Sequence, residues 1–332
     1  MRTGVNRRQI MAGLAAGAVS ACSLPARSEV LVSLAGAARS EVNGVWIWVQ
    51  AFAEVLRNGG VSVEVSPNSA LGNELDRTEL TGLGLLHVND SGSTELSEFS
   101  DAYRASGLPF VFDSMAHFDR FLQAPAFLDR LGEELAPAGL VFADAALLGG
   151  MSGLFTARTP VASVADVENL RLRAMGRLDL MMIEAIGASG VQVAWEEVPQ
   201  ALQTGIAEGY FNPPLAPVMF GHGSQIGHFS ELRLGAAHRA IVLSQAWLDS
   251  LDSERRRLVD NAVRAGHAAN RAWAVAGQER ERAALLGIGV EIYTPTQEDR
   301  QVFVDRVRAA YPDMASPEAV AFVSAIAEQT RS

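Results

Sequence analysis

Leu170-Arg171-Leu172-Arg173, then Gly187-Ala188, then Glu197-Val198-Pro199-Gln200-Ala201-Leu202-Gln203-Thr204-Gly205-Ile206-Ala207-Glu208-Gly209-Tyr210-Phe211-Asn212, is the stretch on which the reading of this chain turns. Arg173 lies in an apolar run, Leu170 to Met175, that reads as a strand. A guanidinium placed there is costly unless it is paired. Its partner is an internal carboxylate such as Glu196 or Glu197, bulk water at a strand end, or an anionic ligand. The residue type favours the last, because a planar fork meets both oxygens of a carboxylate at once and an ammonium does not. Asn212 closes the stretch just before Pro213-Pro214, which enforce an extended path and lack backbone donors. Its amide can donate and accept. It is therefore either a ligand contact or a turn asparagine bonded to its own backbone.

Working outward, short apolar runs alternate with amphipathic segments, the pattern of an α/β fold. Val30 to Leu34 reads as a strand, Val45 to Asn58 as a helix and Val61 to Ser66 as a second strand. Leu85 to Val88 reads as another strand, leading to Asp90, and Ala240 to Leu243 as one more. Asp252 to Leu286 is a long helical pattern that Gly287-Ile288-Gly289 stops. Val290 to Tyr293 reads as a last strand, with a closing helix from Pro295. At 332 residues the chain suits two lobes better than one compact domain. Hydrophobic residues make up 48% and charged residues 20%, so enough apolar surface is available to offset chain entropy. A net charge of −11 argues against a nucleic-acid footprint. Every basic side chain is arginine, which we read as genome composition.

The first residues read as an export signal over 1–22. Arg2, Arg7 and Arg8 precede an apolar stretch, Ile10 to Ala21, too short to span a bilayer. Asn6-Arg7-Arg8-Gln9-Ile10-Met11 resembles a twin-arginine signal, with general secretion as the alternative. Val19-Ser20-Ala21-Cys22 resembles a lipobox; the alternative is cleavage at a small-residue site. Cys22 is the only cysteine, so no intramolecular disulfide can form.

The stretch from Asn169 to Asn212 resembles the signature of solute-binding proteins of tripartite ATP-independent periplasmic (TRAP) transporters, the DctP-like family, in which an L-K-L-R strand precedes an E-V-Y-x-A-L-Q-x-G-x-V-D-G helix. Ser69-Ala70-Leu71-Gly72-Asn73-Glu74 and Leu108-Pro109-Phe110-Val111-Phe112 are similar to two further family segments. The resemblance implies an α/β, two-lobed periplasmic-binding-protein fold with a hinge and a long helix spanning both lobes. It divides the chain into lobe I (29–149), lobe II (150–237), a return to lobe I with the spanning helix (238–277), and a C-terminal strand and helices packing on lobe II (278–332). It implies that Arg173 clamps a ligand carboxylate and that Asn212 faces the ligand. Trp195 falls where a family aromatic covers the ligand, its alternative being a core tryptophan. Glu74 and Asp90 would accept bonds from ligand hydroxyl or ammonium groups; otherwise they are loop or cap residues. His238 matches a family histidine whose expected role is a structural hydrogen bond near the hinge.

The departures bear on the ligand. Gly149-Gly150-Met151-Ser152-Gly153-Leu154 carries no charge where many sugar-acid binders of the family have a second arginine. Pro199 replaces the tyrosine of E-V-Y, and Phe211 an acidic residue. With Trp46, Trp48, Trp195 and Phe211 expected near the cleft, the ligand implied is a monocarboxylate with an apolar or aromatic part. The partners expected are that acid and a membrane permease, with no cofactor, metal or nucleic acid; any membrane contact runs through the permease or a lipid on Cys22. Two rival readings are an extracytoplasmic hydrolase or metalloenzyme, with His222, His228 and Glu231 as conceivable ligands, and a ligand-sensing protein uncoupled from transport. No G-x-S-x-G, H-E-x-x-H or P-loop is present.

Overall fold

The computed structural model describes residues 30–39 and 43–331. The expected export segment and Cys22 lie outside the described residues. The chain opens with parallel strands β1 (Val30–Ser33), β2 (Val63–Ser66) and β3 (Val88–Ser91), with β1 between the other two. Two long strands, β4 (Leu140–Met151) and β10 (Ala236–Ser244), run antiparallel and complete a five-stranded sheet in the order β2-β1-β3-β10-β4. The second sheet holds β5 (Gly153–Thr156), β6 (Arg171–Ala174), β7 (Ser189–Gln192), β8 (Gly209–Asn212), β9 (His228–Ser230) and β11 (Glu291–Tyr293). Its order is β11-β9-β5-β8-β6-β7, with β6 parallel to both neighbours. This is the expected α/β class, and it is built as two lobes. Asp90 lies within β3, whose start falls later than the apolar run Leu85 to Val88 suggests.

Local chemistry sets the elements. The helix Gly44–Asn58 starts where the Asn43 side chain accepts from the amides of Val45 and Trp46. It buries Val45, Trp48, Val49, Phe52 and Leu56, the one-face spacing of an amphipathic helix. Trp48, expected near the cleft, is instead a core residue. It is fully buried, stacks on Phe52 at 5.0 Å and donates its indole N–H to Asp144 Oδ2 at 2.7 Å. Gly266 on the facing helix makes room for it, since a Cβ there would lie 2.6 Å from the indole.

That facing helix, Ser253–Gly287, is 35 residues and about 50 Å long, capped by Asp252. It packs on Gly44–Asn58 and β4 and reaches β11 and the short helix Ala216–Phe220 of the other lobe. Several of its side chains hold β4, His267 bonding Asp144 at 3.1 Å among them. Asn270 accepts from the Leu147 amide and donates to the carbonyls of Gly44 and Leu147. Arg271 donates to Asp119 and to the Ala145 carbonyl. Glu281, buried, accepts from the Gly150 amide with both oxygens, at 3.1 and 3.0 Å. Gly149 must be glycine, because its φ is 138° and a Cβ would stand 2.8 Å from the Glu281 carboxylate.

The C-terminal helices do not all pack on lobe II. Gln297–Ala309 rests on the helix Arg177–Ala185. Pro317–Gln329 instead covers helices Asp101–Ser106, Met115–Leu122 and Pro125–Leu135, the last two of which lie against β4. The reason is an apolar face, Ala319, Val323 and Ile326, that needs that core, with His117 and Arg120 bonded to the carbonyls of Ala327 and Thr330.

His238 stands at the start of β10, where pairing with β4 slips by a bulge. Its Nδ1 bonds the Ala236 carbonyl at 2.8 Å and therefore carries the proton, leaving Nε2 to accept from the Tyr103 hydroxyl at 3.0 Å. Burial lowers the His238 pKa from 6.5 to about 4 and pushes the Tyr103 hydroxyl up to about 12. A depressed imidazole contributes stability above its unfolded pKa and loses it as pH falls toward the folded value. Acidification from pH 7 to 4 should therefore weaken folding through this group, by at most about 3 kcal/mol. Urea unfolding of wild type and His238→Asn across that range tests this; an unchanged slope of stability against pH in the variant would exclude it.

Candidate functional site

Strand order decides where a ligand can go. From β1 the chain moves to one side for β2 and to the other for β3, and from β6 it does the same with β7 and β8. Each is a switch point, where a crevice opens beyond the carboxyl ends of the parallel strands. The two crevices lie next to each other. Ser91 at the end of β3 pairs with Ala240 on β10, Ala236 at the start of β10 pairs with Met151, and Gly153 pairs with Asn212 at the end of β8. Four residues of β10, about 13 Å, separate the first two of those pairs. Reciprocal bonds between Ser152 and residues 234–235 tie the crossing strands together there.

On the second lobe, Arg173 pairs in register with Tyr210, so the two side chains share a face of the sheet, and alternation puts Asn212 on that face as well. Arg173 is 6% exposed. Its Nε donates to the Val193 carbonyl at 2.9 Å and its guanidinium lies over the Trp195 ring, 5.3 Å from the centroid. Trp195 meets Tyr210, Phe220 and His222 with ring centroids 5.8, 4.9 and 5.0 Å away. Tyr210 bonds His222 Nδ1 at 3.3 Å, and burial raises its hydroxyl above the ordinary tyrosine range while lowering His222. Burial also raises Asp179, in the first turn of the helix Arg177–Ala185, where it accepts from the Met175 amide, against the pull of Arg173. The Asn212 side chain has no hydrogen-bond partner among the described residues, so the turn role weighed for it is not the one adopted. Phe211 alternates to the opposite face and packs on the large core cluster, away from Arg173. It does not join Arg173, contrary to its expected place in the cleft.

On the first lobe, Glu74 and Asp90 come together, but neither stands alone. Arg77, wholly buried, donates through Nη1 to Ser33, Asn89 and Asp90 Oδ1 at 3.0–3.1 Å and pairs with Glu74 at 2.8 Å. Arg239, on β10, donates Nε to Asp90 Oδ2 at 3.1 Å and Nη2 to Glu74 Oε2 at 2.6 Å and to the Asp90 carbonyl at 2.7 Å. The Ala35 amide adds a third donor to the Asp90 carboxyl. Burial raises Asp90 from the ordinary aspartate value, against Arg239 and Arg77. A carboxyl that receives three donors and touches two guanidiniums stays ionised at neutral pH.

Arg77, Arg239, Tyr210 and His222 were not among the site residues expected from sequence. Two of them carry a signal in hindsight: Tyr210 lies two residues before Asn212 on a strand, hence on its face, and Arg77 lies one helical turn after Glu74. The rival ligand set disperses. His222 joins the aromatic cluster, His228 bonds the Arg158 carbonyl, and Glu231 pairs with Arg282.

Comparison with known proteins gives a consistent answer. A family model described as bacterial extracellular solute-binding protein, family 7 (DctP) matches residues 34–318. The C4-dicarboxylate-binding periplasmic protein DctP of Rhodobacter capsulatus is 26% identical over 292 residues, covering 85% of this chain and 84% of that one. The ectoine/5-hydroxyectoine-binding periplasmic protein UehA of Ruegeria pomeroyi is 24% identical over 297 residues, 86% and 85% of the two chains. Among solved structures, a TRAP periplasmic solute-binding protein from Chromohalobacter salexigens with bound D-glucuronate superposes with a TM-score of 0.80 at 23% identity, over 90% of this chain and 99% of that one.

The first-lobe network predicts a stability effect that a simple ligand contact would not produce. Asp90→Ala removes the buried partner of Arg77, leaving only the partly exposed Glu74 as its counter-charge, and is expected to cost about 3–5 kcal/mol of folding free energy without ligand, read by chemical denaturation. A ligand-free stability within 0.5 kcal/mol of wild type, roughly the range of a neutral surface change, would mean the network is not a structural unit.

Proposed function

The chain belongs to the bacterial extracellular solute-binding proteins of family 7, receptors of TRAP transporters, and we propose that its ligand is a monocarboxylate with an apolar or aromatic portion, clamped by Arg173. Proteins of this kind are periplasmic receptors rather than enzymes; they bind small organic acids and work with membrane permease subunits. No helix among the described residues is long and apolar enough to cross a membrane. Export through the Arg7-Arg8 segment, with Cys22 as the residue a lipid would modify, belongs to the same proposal.

The observation that carries the ligand class is the setting of Arg173. It lies at the carboxyl end of a parallel strand beside a switch point, and aromatic and aliphatic side chains stand around it alongside the Asp179 carboxyl. Trp195 lies under the guanidinium, Phe220 is 52% exposed against Trp195, and Met175, two residues on from Arg173, is 60% exposed. Residues 149–154, at the crossing, add no charge. A carboxylate at Arg173 would be oriented by the guanidinium, Asn212 would bond a neighbouring oxygen, and the apolar body would cover Trp195. Glu74, on the open side of the Asp90 cluster, and the elements around it would meet the ligand when the lobes close, and the permease would read the closed shape. The relatives named above bind acids of other classes, so the preference is a property assigned to this chain's own side chains.

Thermal unfolding against dicarboxylates, sugar acids, amino-acid derivatives, and aryl or branched monocarboxylates tests the assignment. Saturation at a hundredfold excess over Kd should raise stability by about 2.7 kcal/mol for an aryl or branched monocarboxylate. Arg173→Ala should remove at least about 2 kcal/mol of the binding free energy. Strong binding of a dicarboxylate with weak binding of the monocarboxylates would refute the class, and unchanged affinity in Arg173→Ala would refute the clamp.

A further inference from the structure

The first-lobe crevice holds a charge arrangement that bears on the end of the ligand remote from Arg173. Arg77 and Asp90 are spent: the former is wholly buried and the latter 1% exposed. Arg239 and Glu74 form the open side of the cluster, their side chains 19% and 33% exposed. Of the three guanidinium nitrogens of Arg239, Nε and Nη2 are taken by Asp90 and Glu74, and Nη1 has no partner among the described residues. Glu74 receives both arginines on the same oxygen, Oε2. A third carboxylate, Glu95 on the short helix Ser93–Leu96, stands beside the pair: a Cβ at Gly92 would clash with Glu95 Oε2 and lie 3.5 Å from Glu74 Oε2. Two guanidiniums thus face three carboxylates, one negative charge in excess.

We propose that Arg239, backed by Glu74, is the specificity-determining residue of the first lobe: its Nη1 N–H takes an uncharged oxygen, hydroxyl or carbonyl, at the far end of the ligand, and the negative excess around it turns away a second carboxylate. The favoured ligand is then a monocarboxylate with an apolar body and a distal hydroxyl or carbonyl. This rests on Arg173 as the carboxylate clamp. The chemistry is asymmetric in a useful way. A hydroxyl can receive the Arg239 N–H and donate to Glu74 without disturbing the ion pairs. A carboxylate would bring a like charge beside Glu74 and would have to compete for a guanidinium that Asp90 and Glu74 already hold. A hydrogen bond to a charged donor typically shifts affinity by about tenfold or more, enough to discriminate.

The test is calorimetric titration of the full chain with two matched series. One is hexanoate, 6-hydroxyhexanoate and adipate; the other is 3-phenylpropanoate and 3-(4-hydroxyphenyl)propanoate. In at least one series the hydroxylated acid is expected to bind about tenfold tighter than its parent, with adipate weaker than 6-hydroxyhexanoate by a similar factor. Arg239→Gln should bring the hydroxyl-to-parent ratio close to one. Glu74→Gln removes the excess negative charge at a partly exposed position and keeps the fold available should Arg239→Gln fail to fold. It should raise adipate relative to 6-hydroxyhexanoate by about tenfold. Equal binding of hydroxylated and parent acids in both series, a hydroxyl preference that survives Arg239→Gln, or an adipate-to-hydroxyhexanoate ratio untouched by Glu74→Gln would overturn the proposal while leaving the clamp standing. Binding that survives Arg173→Ala, or no binding by any acid of either series, would overturn the clamp and this inference with it.

Discussion

The antiparallel pair formed by β4 and β10 is the constraint on which the rest of the structure depends. These two strands belong to the first sheet, and at their Met151 and Ala236 ends they hand the chain over to and from the second. Because β3 pairs with β10 and β8 pairs with β5 just past β4, the carboxyl edges of both parallel sets end beside the same crossing. The placement of a ligand site follows from that pairing, since in such sheets ligands bind in the crevice beyond the carboxyl edge, at the switch point. The spanning helix serves the same constraint. Asn270, Arg271 and Glu281 hold Leu147, Ala145 and Gly150, so a single rigid element fixes the crossing over its length.

The two edges are chemically unlike. The second lobe presents an arginine set in an aromatic frame, while the first presents arginines already matched by carboxylates. Burial explains why each lobe holds its charges in this way. Arg77, with no exposure, needs its anions permanently, because a buried cation left without a partner would destabilise the lobe itself. Arg173 is bonded to a backbone carbonyl and lies over the Trp195 ring, two contacts that fix the direction of its guanidinium. A fixed, pre-oriented guanidinium is the arrangement that loses least entropy when an anion arrives.

Much of the architecture was legible in the chain because it is set by local periodicity. The helix after β1, the spanning helix and the strand around Arg173 all announce themselves through apolar spacing and glycine stops. What escaped was tertiary. Trp48 follows the amphipathic spacing of its own helix, which marks it as core, and its partner Asp144 lies 96 residues away, beyond any local pattern. Phe211 is separated from Tyr210 and Asn212 by one face through strand alternation. Glu74 and Asp90 were legible as first-lobe carboxylates, but their capture by Arg77 and Arg239 was not, because Arg239 stands 149 residues from Asp90 and no local pattern links them. The destination of the last helix was likewise decided by which apolar surface remained uncovered, a property of the assembled lobes.

A clamp by itself does not make a receptor. A contact made only by Arg173 contributes the same free energy whether the lobes are apart or together, and a ligand with equal affinity for two states shifts neither population. Closure must be driven by groups the ligand meets only in the closed form, and on the proposed site those lie on the edge of β1 and β3. With Arg173 as the proposed clamp, the residue that secures the acid and the residues that report its presence would stand on different lobes, and selection for transport would fall on the second set. An acid that satisfies Arg173 but finds only matched ion pairs across the crevice would be bound and yet leave the lobes open. In this reading the charge arrangement of the first-lobe cluster is a filter on which bound acids produce the closed shape that a permease recognises.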